Sequence, residues 1–448
     1  MELPPTDVRF THTPLNYKNR EIRLLTIDPS SDPGSPIQIT IKHIDFSGHV
    51  HALTSYQDEK AILRAQGYPL SEWRSEARYN KFFKETLRFV ALSYTWGPEF
   101  PAQDILVASP ECRGWLSVRQ NLYDFLVVRR TCGSTWFWID QICINQGKDD
   151  EKTHQVNQMA EIYSVAAVEV WLGSEFEGSN ELVDLIVRES VHPTLRTHLE
   201  LSVDNQGFST HIPCLRRLLC NPYWSRLWVT QEIVLGKVVN IRVGSKILSW
   251  ETFYSGWSRV TDAWNTLESL SKGSDVSNAR TRISEIRRAQ NVRCEDWLDI
   301  YYLIRGTECS DLRDKVFGTT GMVHPSLRIT PDYSMQPEEV LLMLLPKIVE
   351  GEYNSMMSHW NSSKSMGRLE QTQCIRTARR WMESLEHDVH KISRRSVRHH
   401  LLNSLLTLDP PKFGCKTGKV CLLKYRMWYT MEGGYNVRSM FRQLGQRR

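Results

Sequence analysis

Trp136-Phe-Trp-Ile-Asp140, Gln141-Ile-Cys-Ile-Asn-Gln146 and, after a helical stretch, Val168-Glu-Val-Trp-Leu172 with Gly173 together decide the fold. The first segment is an apolar run that stops at a carboxylate, the pattern of a buried strand. A polar loop follows, and Asp149 or Asp150 is placed to cap a helix. That helix is expected to run to about Ala167, with Val156, Met159, Ala160, Tyr163 and Ala167 on one stripe. Val168–Leu172 then reads as another strand, so strand, helix and strand in order predict a parallel crossover unit.

Upstream, residues 20–27 and 37–44 read as two strands joined by the Pro/Ser/Asp/Gly-rich turn 28–36. Residues 51–86 are polar and partly helical by pattern. Phe89-Val-Ala-Leu-Ser-Tyr94 is a short apolar strand closed by Thr95-Trp96-Gly97-Pro98, Ile105–Ala108 an edge strand, and Val118–Arg130 a helix. Downstream, Asn221-Pro222 starts a helix that Gly236 ends, carrying Trp224, Leu227, Trp228, Gln231 and Leu235 on one face. A hairpin is expected over 238–250, and mainly helical structure over 251–305, interrupted at 271–278. Asp311–Thr320 starts a further short element. Pro337–Leu345 reads as a helix with Pro346 just past its end.

The chain has 448 residues, of which 41% are apolar and 24% charged. That is enough to bury a core, and it excludes wholesale disorder. No apolar run approaches the ~20 residues that cross a bilayer. The start lacks the charged and apolar regions of a signal peptide, so a soluble, non-secreted, cytoplasmic protein is expected. Ten cysteines show no paired C-x-x-C spacing and no neighbouring histidine cluster, which argues against zinc and for reduced thiols. The net charge of +5 is uneven. Residues 364–448 hold 18 basic and 6 acidic side chains, a net +12, and the remainder holds 38 basic and 45 acidic, a net −7. Such a tail is more often a solvated face than a nucleic-acid or membrane contact.

In an open parallel sheet, ligands gather beyond the carboxyl ends of the strands. Three polar clusters stand at such ends: Ser93–Trp96, Asp140–Gln146 and the loop after Leu172. Asp140 either caps its loop or is a carboxyl whose pKa is shifted by burial. Glu232 lies one helical turn beyond Trp228, at the boundary of the apolar stripe. It is either desolvated against the indole or an ordinary solvated glutamate paired with Lys237 or Arg226. Cys143, between two isoleucines, reads as buried rather than nucleophilic. No phosphate-binding glycine loop is present, since Gly318-Thr-Thr-Gly lacks the lysine and the spacing.

Several motifs in order resemble the fungal heterokaryon incompatibility (HET) domain. They are Ala91-Leu-Ser-Tyr-Thr-Trp-Gly97, Trp138-Ile-Asp-Gln-Ile-Cys-Ile-Asn-Gln146, Gln155-Val-Asn-Gln-Met159, Val170-Trp-Leu-Gly173 and Tyr223-Trp-Ser-Arg-Leu-Trp-Val-Thr-Gln-Glu232. The resemblance implies a TIR-like α/β fold, a mainly parallel sheet flanked by helices, with added β-hairpins and a helical C-terminal region. It implies an effector of non-self recognition and programmed cell death in fungi. It also implies cleavage of NAD as a substrate, with no cofactor, because Trp228-Val-Thr-Gln-Glu232 has the tryptophan-to-glutamate spacing of NAD-cleaving TIR domains. Glu232 is then the catalytic candidate, with Tyr94, Trp96, Asp140, Asn145 and Trp228 lining the substrate. Expected partners are further copies of the chain and a sensor protein, with no membrane and no nucleic acid. The non-enzymatic alternative is a self-associating signalling module. The expected organisation is a lead-in and insertion at 1–87, the HET core at 88–260, a helical extension at 261–350 and a basic region at 351–448.

Overall fold

The computed structural model describes residues 5–351, apart from 6–7, 33, 69–75, 110–111, 132–134, 193–210, 268–273, 292–295 and a few positions between 338 and 349. The expected basic region, with helices around 369–406 and strand-like pieces near Val420, lies outside the described residues, Gly351 excepted. The chain divides into two compact units, Met1–Asn291 and Val292–Arg448.

The first unit is organised by one nine-stranded sheet. Its strands are β1 (Ile22–Ile27), β2 (Gln38–Ile44), β3 (Val90–Tyr94), β4 (Ala102–Ala108), β5 (Arg113–Arg119), β6 (Phe137–Trp138), β7 (Ala167–Trp171), β8 (Val238–Val243) and β9 (Lys246–Ser249). Their order across the sheet is β5-β4-β2-β1-β6-β3-β7-β8-β9. The centre, β6-β3-β7-β8, is parallel throughout. The outer strands add the antiparallel pairs β1·β2, β1·β6, β4·β5 and β8·β9 and one more parallel pair, β2·β4. The sheet is therefore mixed around a parallel core. The lead-in strands β1 and β2 belong to the same sheet as the core strands.

The helices of this unit are α1 (Ser47–Ala65), α2 (Glu76–Phe83), α3 (Gln120–Arg129), α4 (Asp140–Cys143), α5 (Asp149–Val165), α6 (Ser179–Val191), α7 (Ile212–Leu219), α8 (Val229–Leu235), α9 (Trp250–Leu267) and α10 (Ser274–Asn291). β6, α5 and β7 form the expected parallel crossover, and β3 lies between its two strands. Strand alternation sends side chains to opposite faces. Glu169 and Trp171 of β7 face α3, where Trp171 meets Phe125 edge-on at 5.6 Å and Arg129 approaches Glu169. Val168 faces the other way, against the turn at Gly236 that closes α8. On the α8 side, Tyr163 of α5 donates its hydroxyl to the carbonyl of Leu92.

Several boundaries differ from the sequence reading. Ile105–Ala108 is not an edge strand: β4 is covered by β5, which takes the edge. β5 ends in Val118 and Arg119, so the helix expected from Val118 begins at Gln120. The N-cap of α5 is Lys148, whose side chain makes no capping bond; Asp149 and Asp150 occupy the first turn instead, where their charges complement the helix dipole. The single helix expected from Asn221 to Gly236 is two pieces, a 3-10 turn (Pro222–Ser225) and α8, because Arg226 is extended at φ −67°, ψ 135°. Asn221 does cap the first piece, accepting from the Tyr223 amide at 2.9 Å.

The second unit contains α11 (Trp297–Ile304), α12 (Asp314–Phe317) and a 3-10 turn at Pro325–Leu327. The described residues from 337 to 351 are helical and include Pro346, which was expected to lie beyond the helix. The buried Trp297 indole donates to the carbonyl of Leu327. Among the described residues no helix is long and apolar enough to cross a membrane.

Candidate active site

The parallel strands fix where polar groups meet. β3 ends at Ser93 and Tyr94, β6 runs directly into α4 at Asp140, and the 3-10 turn with Arg226 and α8 packs over the β3 end. Glu232 is enclosed, 2% exposed. Ser93 donates its hydroxyl to the Glu232 carboxyl, and the same oxygen lies 2.6 Å from the Tyr223 hydroxyl. A chain of hydroxyls, Tyr223 to Ser93 to Glu232, therefore ends on the carboxyl with each member buried.

Burial pushes the Glu232 pKa up to about 7, against the opposing pull of the Arg226 charge and the Ser93 hydrogen bond, with the Asp140 charge adding to the rise. Burial likewise raises Asp140, against Arg226 and the bonds it accepts. Burial opposes the charge of Arg226, yet Glu232 and Asp140 outweigh it and raise its pKa. Arg226 anchors by donating to the Tyr94 carbonyl. One guanidinium thus serves two carboxyls, and desolvation raises both against its pull.

Toward solvent, Asp140 accepts from the Trp96 indole at 2.8 Å and from the Gln141 amide at 2.7 Å. Tyr94 points its hydroxyl at the Gln141 side chain, 3.3 Å away. Arg119 stacks over the Trp96 ring, 5.1 Å from its centroid, and donates to the Gly97 carbonyl at 2.6 Å. Asp140, Trp96, Arg226 and Trp228 are half-buried, in contrast to the enclosed Glu232.

The sequence-derived residues divide accordingly. Tyr94, Trp96 and Asp140 come together, and Glu232 is tied to them electrostatically through Arg226. Trp228 is the N-cap residue of α8, and its carbonyl accepts from the Glu232 amide at 3.1 Å. Asn145 is held in a local turn instead: its side-chain oxygen accepts from the Gly147 amide, and its own amide donates to Glu151. The solvated alternative for Glu232 fails on burial, and Lys237 is engaged elsewhere, over the Tyr79 and Tyr56 rings. Asp140 opens α4 as its first residue. Cys143 is buried, with its thiol pushed up to about 12 by desolvation, as its isoleucine neighbours imply. Ser93, Tyr223 and Arg226 were not singled out as site residues. Ser93 lies in the polar cluster at the end of β3, and Arg226 interrupts an aromatic run, which are the signals that could have found them. Among the described residues no group of three or more His, Cys, Asp or Glu side chains could hold a metal.

Residues 89–232 match the family model described as "Heterokaryon incompatibility protein (HET)". The chain is also similar to "Heterokaryon incompatibility protein 6, OR allele" of Neurospora crassa, at 37% identity over 110 residues. That match covers 22% of this chain and 16% of the relative. No solved structure matches the chain. The chain carries a heterokaryon incompatibility domain, and every candidate site residue lies within it.

Proposed function

We propose that this heterokaryon incompatibility domain is the effector element of a cytoplasmic non-self recognition response that ends in programmed cell death, and that it acts by cleaving the nicotinamide–ribose bond of NAD. One observation carries the chemistry: Glu232 is a buried carboxyl with a pKa of about 7, at the carboxyl end of the central parallel strands and beside a second raised carboxyl, Asp140. Burying several polar groups together is costly, and such clusters concentrate where a protein needs tuned acids and bases.

Nicotinamide leaves as a neutral base, so the C–N bonding pair goes with it and an oxocarbenium-like ribose remains. An ionised Glu232 stabilises that cation and accepts a proton from the attacking water, giving ADP-ribose, nicotinamide and a proton. Glycosidases use carboxyl groups in the same manner. The half-buried Trp96 and Trp228 offer ring faces for stacking, and Asp140 is a ribose hydroxyl acceptor. Glu232 is enclosed, so catalysis requires the extended segment at Arg226, between the 3-10 turn and α8, to open. Association of copies, or a sensor protein, would supply that trigger.

The enclosure itself favours a second reading. A carboxyl held by Ser93 and the Arg226 charge is also what a structural keystone looks like, and the domain would then signal by self-association alone. Expression of wild type and Glu232→Gln in fungal cells separates the two. Loss of cell death and of NAD depletion together in a folded Glu232→Gln supports cleavage, and undiminished death supports the association module.

A further inference from the structure

The turn that carries Asp140 is gripped from outside the matched segment 89–232. Arg23, on β1, is 1% exposed, and its partner Glu151, in the first turn of α5, is 2% exposed. The Arg23 guanidinium donates to the carbonyl of Cys143 at 2.8 Å and to both Glu151 oxygens, at 2.5 and 3.2 Å. It also donates to the carbonyl of Thr13 at 2.5 Å. Glu151 in turn accepts from the Asn145 amide at 2.7 Å. One residue before Cys143, the carbonyl of Ile142 lies 2.8 Å from the His12 imidazole. Ile142, Cys143 and Asn145 thus each have a backbone group tied to this assembly.

A buried ion pair is weak evidence for net stability, because desolvation offsets most of its Coulombic gain. What it does well is fix geometry. A guanidinium presents its donors in a rigid fork, and here the fork spans a carboxylate and two backbone carbonyls. α4 is a single helical turn of four residues. Its own backbone bonds, from Ile142 and Cys143 to the Ile139 carbonyl and from Ile144 to that of Asp140, set its shape. They do not set its place relative to β1. β6 pairs with β1 at Phe137 just before the turn, and the Arg23–Glu151 assembly carries that tie into the turn itself.

We propose that Arg23 and Glu151 are positioning residues that hold the Asp140–Asn145 turn, and with it the Asp140 carboxyl, against Trp96. The functional unit accordingly includes the lead-in from about His12, although the family match begins at residue 89. Any effect of this pair on output rests on the function proposed above, whereas its effect on geometry does not.

The Trp96 indole N–H is a built-in reporter, since it donates to Asp140. The Trp171 indole, which donates to Asn121 on the other side of β3, is the control. The test records indole 1H–15N resonances of the full chain, assigned with Trp96→Phe and Trp171→Phe, in wild type, Arg23→Met and Glu151→Gln. Glu151→Gln keeps one acceptor oxygen, for Asn145 and one Arg23 nitrogen, and turns the other into an NH2 that faces Arg23. It thus breaks half of the fork with no loss of volume and is the second variant should Arg23→Met not fold. The expected result is a moved or broadened Trp96 resonance in each folded variant, with the Trp171 resonance unchanged. A Trp96 resonance that stays in place in folded Glu151→Gln overturns the proposal. A shifted Trp96 resonance with cell death intact upholds the positioning role and counts instead against a need for Asp140 in the output.

Discussion

Ser93 and Glu232, 139 residues apart in the chain, are joined by one buried hydrogen bond from hydroxyl to carboxyl. β3 supplies the donor and α8 the acceptor, so the packing of α8 over the sheet determines the electrostatic state of the carboxyl.

Glu232 makes stability depend on pH. Its pKa rises from the ordinary value of 4.5 to about 7 on folding. Its favourable contribution is therefore complete below pH 4.5 and is lost as pH rises through 7. The loss is on the order of 3 kcal/mol by linkage. Asp140 is raised as well and has the same sign. Subtracting the profile of Glu232→Gln isolates the Glu232 part: denaturant midpoints of wild type should fall relative to the variant between about pH 5 and 8. Parallel profiles would show that Glu232 does not titrate there.

Removing the Ser93 hydroxyl should both destabilise and retune the site. Ser93→Ala leaves the Tyr223 hydroxyl and one Glu232 oxygen without this buried partner, at a cost of about 1–3 kcal/mol. The Ser93 bond lowers the Glu232 pKa, so its loss should move the titration seen above to higher pH. Urea melts at several pH values read both effects. An unchanged midpoint at neutral pH would mean that the hydroxyl bond contributes nothing net.

Gly256 tests the fold apart from the site. A Cβ there would stand 1.9 Å from the Ile186 carbonyl oxygen, because α9 and α6 pack backbone to backbone at that point. Gly256→Ala gains helix propensity of about 1 kcal/mol but forces the helices apart, at about 1–3 kcal/mol or more. A net loss in thermal melting is expected. A stabilised variant would show that the two helices do not approach as described.

The parallel centre was legible because its periodicities are local. Phe137–Trp138, the α5 stripe and Val168–Trp171 each declare themselves within a few residues. β5 was not legible because Arg113, Ser117 and Arg119 dilute its apolar alternation, and its last residues run straight into α3. The break at Arg226 has a tertiary cause: the guanidinium reaches back to the Tyr94 carbonyl, and Trp224 stacks on Phe253 with ring centroids 5.9 Å apart. The candidate site was legible in its parts, since Trp96 and Asp140 lie in polar clusters at strand ends and the resemblance of Trp228–Glu232 to TIR domains singled out Glu232. The depth of Glu232 was not, because Ser93 and Tyr223 enclose it through contacts between distant segments. Asn145 looked like a ligand residue for the same reason: its amide partner Glu151 is fixed by Arg23 on another strand.

The central claim is that the Glu232 carboxyl cleaves NAD. Its most direct test is release of nicotinamide from NAD by the purified full chain, concentrated enough to self-associate, with wild type and Glu232→Gln measured side by side from pH 5 to 9. The account predicts release by wild type that rises through about pH 7 as Glu232 ionises, and at least a ~100-fold loss in the variant, the low end of acid–base contributions. No release by the associated wild type, or equal release by the variant, would contradict it.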